Sequence, residues 1–402
     1  MMDGALPLLK LRLTAVAERH VRQGHPWVYS DSILSASRIG RAGDVAAIYD
    51  KKKDKLLALG LYDPHSPIAV RILHVGKPVK VGVDWWLARL ASTLDAKRDL
   101  LQRLKDSGTN GFRFINGESS GWPGLIVDCY ACTLVMKIYT AAWLPYVPYL
   151  VDWFSVHSPV VNAAIVLRLA RNIQELAAQQ FQLKEGLIHG QTTDVVVFEE
   201  NHIRFEAEVI RGQKTGFFLD QRENRARVEQ LSRGRDVLNA FSFSGGFSLY
   251  AARGGACSVT DLDISSHALE SARRNLALNP SLSSADYRQV KADCFEWLAN
   301  GPAEQFDLII CDPPSLAKRE ADRQRAIQAY YQLAKDCWRR LRAGGILVAA
   351  SCSAHVNAEE FYDATLAATA QPPELWRSSH AEDHVATFTE AQYLKCVALL
   401  KK

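Results

Sequence analysis

The sequence predicts an α/β protein of three domains: a small β-barrel over residues 1–80, a central α/β domain over 81–195, and a doubly wound, Rossmann-like parallel sheet over 196–402. Three observations carry this. At 402 residues the chain is longer than one ordinary core fills. From Val195 onward, short apolar runs alternate with amphipathic stretches, as parallel strands joined by crossover helices do. Two of those runs, Phe306–Cys311 and Gly345–Ala349, end in Asp312-Pro313-Pro314 and Ala350-Ser351-Cys352-Ser353. Open α/β sheets hold their ligands at such strand ends.

The first eighty residues read as short strands and turns. Gly24-His25-Pro26 is a turn that leads into Trp27-Val28-Tyr29. Val45–Tyr49 and Leu56–Gly60 flank Asp50-Lys51-Lys52-Lys53-Asp54, a charged hairpin tip, and Ile68–Leu73 forms a further strand. A unit of this size suits binding rather than catalysis. Trp86, Leu90, Leu94, Arg98 and Leu101 keep near-helical spacing, which predicts a helix opening the central domain. The turn Ile115–Gly124 follows, then strands at Leu125–Asp128 and Thr133–Tyr139, an apolar segment Val160–Leu169, and a polar helix around Ile173–Gln180. In the last domain Val237–Phe241 reads as a strand, and Phe247–Arg253 as a helix closed by Gly254-Gly255. Ser258–Leu262 is the next strand, with Ala268, Leu269, Ala272 and Leu276 marking the helix after it. Ile327, Tyr330, Ala334, Cys337 and Leu341 share one helix face, which assigns Cys337 to the core.

Composition fits a soluble globular chain, with 48% hydrophobic and 23% charged residues. The net charge of +4 is uneven: residues 1–80 carry 13 Lys and Arg against 7 Asp and Glu. A polyanion partner for that part is one explanation, and a solvated basic surface is the other. Neither a secretory signal nor a bilayer-spanning run is visible, since Ile138–Val151 is short and holds Pro145 and Pro148. Eight scattered cysteines suit a reducing cytosol, so a cytoplasmic protein without a membrane partner is expected. Cys129 and Cys132 have metal-like spacing but lie inside the strand-like run Ile126–Ile138, and no second ligand pair follows, so no metal is expected. The oligomeric state is open, a homodimer included.

The strand ends suggest a cofactor. Asn239-Ala240-Phe241-Ser242-Phe243-Ser244-Gly245-Gly246 supplies small residues where a helix begins, so backbone can approach a ligand beside free N–H groups. The glycine fingerprint of dinucleotide sites is missing, which disfavours a dehydrogenase. Asp263 ends the next strand, where a carboxylate can accept both ribose hydroxyls. Asp261 shares its face and is a lesser candidate, and Asp293 could take an adenine amino group. Asp263, Asp293 and Asp312 in this order point to S-adenosyl-L-methionine. An acid-Pro-Pro turn beside a strand-end cysteine is what methylation at carbon 5 of a pyrimidine requires. Cys352 on its own is as well explained as a small core residue.

With these residues in view, the chain resembles the bacterial 23S ribosomal RNA 5-methylcytosine methyltransferases of the large-subunit methyltransferase I type. The resemblance covers nearly the whole chain. It rests on Gly24-His25-Pro26-Trp27-Val28, on Gly117-Glu118-Ser119 with Gly124-Leu125, and on Lys214-Thr215-Gly216-Phe217-Phe218-Leu219-Asp220-Gln221-Arg222, the most specific run. Asn239-Ala240-Phe241-Ser242, Asp312-Pro313-Pro314 and Ser351-Cys352-Ser353 complete it. It implies an N-terminal PUA domain, a central α/β domain and a class I methyltransferase domain, with Phe218, Asp220, Gln221 and Arg222 beside the methionine end of the cofactor. A turn with a helix cap at Asp220 is the lesser alternative for that run. The family usually has lysine after Asp-Pro-Pro; here it is Ser315. The second cysteine of the related two-cysteine enzymes is missing there, and Cys311 is a core residue by strand alternation.

The implied chemistry makes Cys352 the nucleophile at cytosine carbon 6 and Asp312 the group that binds the base near its ring nitrogen. The Pro313 carbonyl would accept from the exocyclic amine. Large-subunit ribosomal RNA is the expected partner, held by Trp27, Tyr29, Lys51, Lys52 and Lys53 and, after the Asp-Pro-Pro turn, by Lys318 and Arg319. Arg323 and Arg325 extend that basic stretch, which serves equally well as an ordinary helix start. Two rivals remain: a methyltransferase acting on a purine nitrogen, and a non-catalytic RNA-binding assembly factor.

Overall fold

Leu9, Leu11 and Leu13 point inward from the first strand while Lys10 stays exposed, the period-two pattern of a half-buried strand. The computed structural model describes residues 8–51, 54–282 and 285–402. The chain divides into two compact units, residues 1–199 with 207–217 and residues 200–206 with 218–402.

The first unit holds two sheets. One has six strands in the order Trp27–Tyr29, Ile68–Val75, Leu56–Tyr62, Val45–Tyr49, Leu9–Leu13, Ile33–Ala36. Leu9–Leu13 runs parallel to Val45–Tyr49, and Thr14 caps the helix Ala15–Arg22 that buries Ala17 and Val21. The other has five strands, Gly186–His189, Ala164–Leu169, Thr133–Ile138, Leu125–Tyr130 and Gly111–Asn116, covered in part by the 24-residue helix Val83–Asp106. Trp86 anchors that core, with ring centroids 5.5 Å from Trp122 and 5.2 Å from Trp143.

The parts expected as 1–80 and 81–195 thus keep separate sheets within one compact unit. Buried polar groups join them. Glu118 accepts from the Trp27 indole and from Arg71, each at 2.8 Å, and the Tyr146 hydroxyl donates to the Gly43 carbonyl at 2.8 Å. The strand pair expected at Leu125–Asp128 and Thr133–Tyr139 is a hairpin, Leu125–Tyr130 with Thr133–Ile138, so the strand-like run Ile126–Ile138 is turned in its middle. Ala131 turns it with φ of 50°, so Cys129 is buried at the end of one strand and Cys132 is exposed in the turn.

The second unit is built on a seven-stranded sheet. Its elements are β1 Asp236–Ala240, α1 Gly246–Arg253, β2 Ser258–Asp263, α2 Ser266–Ala277, β3 Asp286–Lys291, α3 Cys294–Asn300, β4 Phe306–Cys311, α4 Arg323–Arg339, β5 Leu341–Ser351, α5 Ala358–Ala368, β6 Glu374–Ser378 and β7 Lys395–Leu400. The strand order is β3-β2-β1-β4-β5-β7-β6. The first five strands are parallel, and β7 is antiparallel to both β5 and β6. The order reverses at β1 and β4, which opens a crevice at the carboxyl ends of the strands. β4 is buried along nearly all its length because helices cover both faces. Cys311 and Cys337 lie in that core, as expected.

Candidate active site

β4 and β5 are neighbours, with Cys311 opposite Ala349, so both chains leave the sheet at the same end. Asp312 and Cys352 are therefore brought together although forty residues separate them. The Cys352 thiol is half-buried and lies 4.0 Å from the Pro313 carbonyl oxygen. Cys129, Cys294, Cys311, Cys337 and Cys396 are buried. Burial pushes the Cys294 thiol up to about 12, and Cys311, hydrogen-bonded to Cys337 and buried, is raised well above the ordinary thiol range. Neither Cys294 nor Cys311 can supply a thiolate near neutral pH.

The two loops are tied together through Ser353. Its hydroxyl accepts from the Leu316 and Ala317 N–H groups at 3.0 and 3.2 Å and sits 2.7 Å from the Tyr330 hydroxyl. Ser315, where the family has lysine, joins this frame, 3.3 Å from the Ser353 hydroxyl and donating to the Ala317 carbonyl. Asp312 is oriented by an amide relay. Gln221 donates to its Oδ2 at 2.8 Å, Asn224 donates to Gln221 at 2.6 Å, and the Ser378 hydroxyl donates to Asn224 at 2.5 Å. Asp220 accepts from the Tyr393 hydroxyl at 2.7 Å.

Arg222 has another role than the one expected. It is buried in a two-point ion pair with Asp383 at 3.0 and 3.1 Å, so its guanidinium is committed to the fold. Burial opposes ionisation of Asp383, but His384 and Arg222 outweigh it and hold the carboxyl well below the usual range. Asn239 is likewise reassigned: its amide donates to Ser248 at 2.8 Å and to Asp261 at 3.3 Å inside the core. Asp261 also accepts from the Ser248 and Tyr287 hydroxyls, and burial raises it to about 6. It ties β2 to its neighbours and does not face the crevice.

Around the carboxyl end of β1 the backbone is contorted. Phe241, Phe243 and Gly245 have φ of 60°, 48° and 75°, a conformation that is uncommon for aromatic residues and concentrates at ligand sites. Gly245 is required on a second count, since a Cβ there would meet the Ala272 Cβ at 2.9 Å. Ser244 is buried, and its carbonyl accepts from Asn275 at 2.8 Å, so it serves the packing of α2. Asp263 is half-buried. The Phe243 N–H donates to its Oδ2 at 2.9 Å and the Ser265 N–H to its Oδ1 at 2.8 Å, which fixes the carboxylate and leaves each oxygen a lone pair for a ribose hydroxyl. The Ser242 hydroxyl is buried with no hydrogen-bond partner among the described residues, a vacancy that a polar ligand would fill. Phe241 packs edge-on against the exposed Phe295 at 5.4 Å, and Phe218 against Phe243 at 5.0 Å. Asp293 is exposed and caps α3. A nucleoside-bearing sulfonium fits this set: carboxylate for ribose, aromatic walls for the base, and an unsatisfied hydroxyl.

Sequence reasoning missed Phe295 and Lys395, and named Ser242 only as part of the strand-end run. Phe295, two residues beyond Asp293, carried a weak signal as an aromatic in a polar helix start. Lys395 is buried at 2% exposure, and nothing in its sequence context distinguishes it from a surface lysine.

Of the residues expected on RNA, Tyr29 and Lys51 are exposed, and Trp27 is half-buried with its N–H committed to Glu118. Lys52 and Lys53 lie outside the described residues. Lys318 and Arg319 are exposed beyond the Asp-Pro-Pro turn. Among the described residues no helix is long and apolar enough to cross a membrane, and no cluster of three or more His, Cys, Asp or Glu could hold a metal ion.

Two family models match: S-adenosylmethionine-dependent methyltransferase over residues 182–377 and a PUA-like domain over residues 11–74. A ribosomal RNA large subunit methyltransferase of Deinococcus radiodurans is 55% identical over 402 residues, covering 98% of this chain and 97% of the relative. Ribosomal RNA large subunit methyltransferase I of Pseudoalteromonas atlantica is 34% identical, covering 94% and 95%. A Streptococcus mutans structure assigned as a SAM-dependent methyltransferase shares the fold with a TM-score of 0.80 at 20% identity, covering 98% of this chain and 100% of the other. A crystal structure of a methyltransferase complexed with SAH gives a TM-score of 0.81 at 20% identity and the same coverage.

Proposed function

The chain belongs to the family of S-adenosylmethionine-dependent ribosomal RNA large-subunit methyltransferases, and from that premise we propose that it methylates carbon 5 of a cytosine in large-subunit ribosomal RNA through a covalent adduct on Cys352. The observation that carries this reading is the half-buried Cys352 thiol set against the Asp312-Pro313 turn at the open end of adjacent strands. Cytosine carbon 5 is a weak nucleophile. A Cys352 thiolate adding at carbon 6 forms an S–C bond and turns the ring double bond's electron pair toward carbon 5. S-adenosylmethionine supplies an electrophilic methyl group, and its sulfur keeps the electron pair of the broken bond. Carbon 5 then gives its proton to a base, and the returning pair expels Cys352 as a thiolate.

Asp312 binds the base near its ring nitrogen and stabilises the adduct, a role supported by its orientation through Gln221. The Pro313 carbonyl offers an acceptor for the exocyclic amine, which selects cytosine over uracil. Asp263 takes the ribose of the cofactor, Asp293 its adenine amino group, and Phe241 with Phe295 the flat faces of its base. Phe218, Asp220 and Gln221 border its methionine end. The domain over residues 1–80 holds the RNA through Tyr29 and the lysine tip, and Lys318 and Arg319 contact phosphates beside the target base.

The test is mechanism-based trapping. RNA containing 5-fluorocytosine should form a covalent complex with the wild-type protein, because fluorine cannot leave as a proton does. Cys352→Ala should bind cofactor and RNA, trap nothing, and lose methyl transfer by several orders of magnitude, while Cys311→Ala should trap normally. Substantial activity in Cys352→Ala would replace the carbon 5 reading with methylation of a purine nitrogen.

A further inference from the structure

Lys395 begins β7 opposite Ser351, the last residue of β5, and its ammonium is buried beneath the loop that carries Cys352. Its Nζ donates to the Ser353 carbonyl at 2.7 Å, the Val356 carbonyl at 2.6 Å and the Tyr393 carbonyl at 3.0 Å. Three acceptors match the three N–H donors of an ammonium, whereas a neutral amine has only two, so the cage is built for the charged form. Among the described residues no carboxylate lies within ion-pair distance of it. A buried cation whose hydrogen bonds go only to carbonyl dipoles is costly unless charge nearby offsets it, and Glu360, itself engaged by Arg323, offsets only part. The residue adjoining the first of those carbonyls is Cys352.

We propose that Lys395 is a positioning residue for Cys352: it fixes the loop after β5 and provides the buried positive charge against which the thiolate forms. The inference rests on Cys352 being the nucleophile, as proposed above. No N–H of Lys395 is left for the sulfur, so the effect is that of charge across a short, poorly solvated gap. The thiol proton leaves to bulk water, and the resulting pair is neutral overall.

The other ionisable groups around the cage are already occupied. Glu360 of α5 is held ionised by Arg323 of α4, its hydrogen-bonded partner. Tyr330 is pushed up to about 12 by burial and stays neutral, and Cys396, next to Lys395 on the strand, is raised further by burial. Tyr393 donates to Asp220, and His355 pairs with Glu320. Asp312, which accepts from Gln221, is the nearby carboxylate whose charge opposes the thiolate. Burial lowers Lys395 to about 8, and the charge of Cys352, then that of Glu360, act on it in the opposite direction. That attraction is mutual.

The test reads the thiol itself, in the full chain and without RNA. Iodoacetamide alkylation of Cys352 is followed by peptide mass spectrometry from pH 6 to 10. The midpoint should fall at least one unit below the ordinary thiol value of about 8.5. Lys395→Met should raise that midpoint by a unit or more and slow alkylation at pH 7 about tenfold. Exposed Cys132 and Cys257 serve as internal standards, and unmodified Cys311 and Cys337 report an intact core. A wild-type midpoint at or above 8.5 overturns the proposal without any variant, so a Lys395→Met chain that fails to fold does not shelter it. A folded Lys395→Met with the wild-type midpoint overturns it as well. The two readings fail separately: normal trapping with an ordinary thiol midpoint removes Lys395 and leaves carbon 5 methylation standing. A depressed midpoint with an active Cys352→Ala removes the nucleophile and leaves the charge pair.

Discussion

Asp263 is a carboxylate held rigid by its own backbone surroundings. Each oxygen already takes a backbone N–H, from Phe243 and from Ser265, so the group cannot rotate away from the crevice. Asp263→Ala should weaken S-adenosylmethionine by about 1–3 kcal/mol in calorimetry, the loss of a charged hydrogen-bond acceptor. Unchanged affinity in a folded variant would take Asp263 out of the site. Position at the end of an apolar run was enough to place Asp263, Asp312 and Cys352 at the carboxyl end of the sheet, because a strand delivers its last residues there. It was not enough for Arg222 or Asn239. Both lie in stretches that suggest a cofactor, yet their side chains meet Asp383 and Asp261, partners that lie far away in sequence or were read only as lesser candidates.

At the scale of elements, the buried Arg222–Asp383 pair joins the helix Arg222–Leu231 to the segment after β6. Asp383→Asn should lower stability by about 3–5 kcal/mol in denaturant titration, because it leaves the Arg222 charge buried and unpaired. Its carboxyl is depressed in the folded state, so this contribution is present above the unfolded value near 4 and is lost as pH falls below it. Asp261 acts with the opposite sign. Burial holds it at about 6, so the folded form binds a proton that the unfolded form has released, and its contribution shrinks as pH rises from about 4 to 6. Melting curves should therefore show a shallow decline from pH 4 to 6 from Asp261 and a steep loss below pH 4 that Asp383→Asn flattens. Neither element contact was legible in the sequence. The helix and the strands were, because the 3.6- and 2-residue periods are local.

Across the whole molecule, removing residues 1–80 is not a clean test of RNA binding. It would strip Glu118 of Trp27 and Arg71 and leave Tyr146 without the Gly43 carbonyl. Such a truncation should destabilise the five-stranded sheet, visible as rapid proteolysis of the central part. Charge removal in place avoids this. Replacing Lys51, Lys52 and Lys53 by alanine should lower RNA affinity and reduce the slope of log affinity against log salt by about 2, while cofactor affinity holds. An unchanged slope would make that face a scaffold.

The sequence by itself determined the order of elements, the parallel sheet of the last domain, the cofactor class and the pair Asp312 and Cys352. Those properties reside in local periodicity and in where an apolar run stops. Tertiary structure alone decided which polar residues serve the ligand and which serve the core. It turned Asn239 and Arg222 inward, left Ser242 unsatisfied, set Phe295 against Phe241 and buried Lys395 under the Cys352 loop. A side chain's partner is fixed by whatever the fold brings opposite it, and a buried charge must find its partners there.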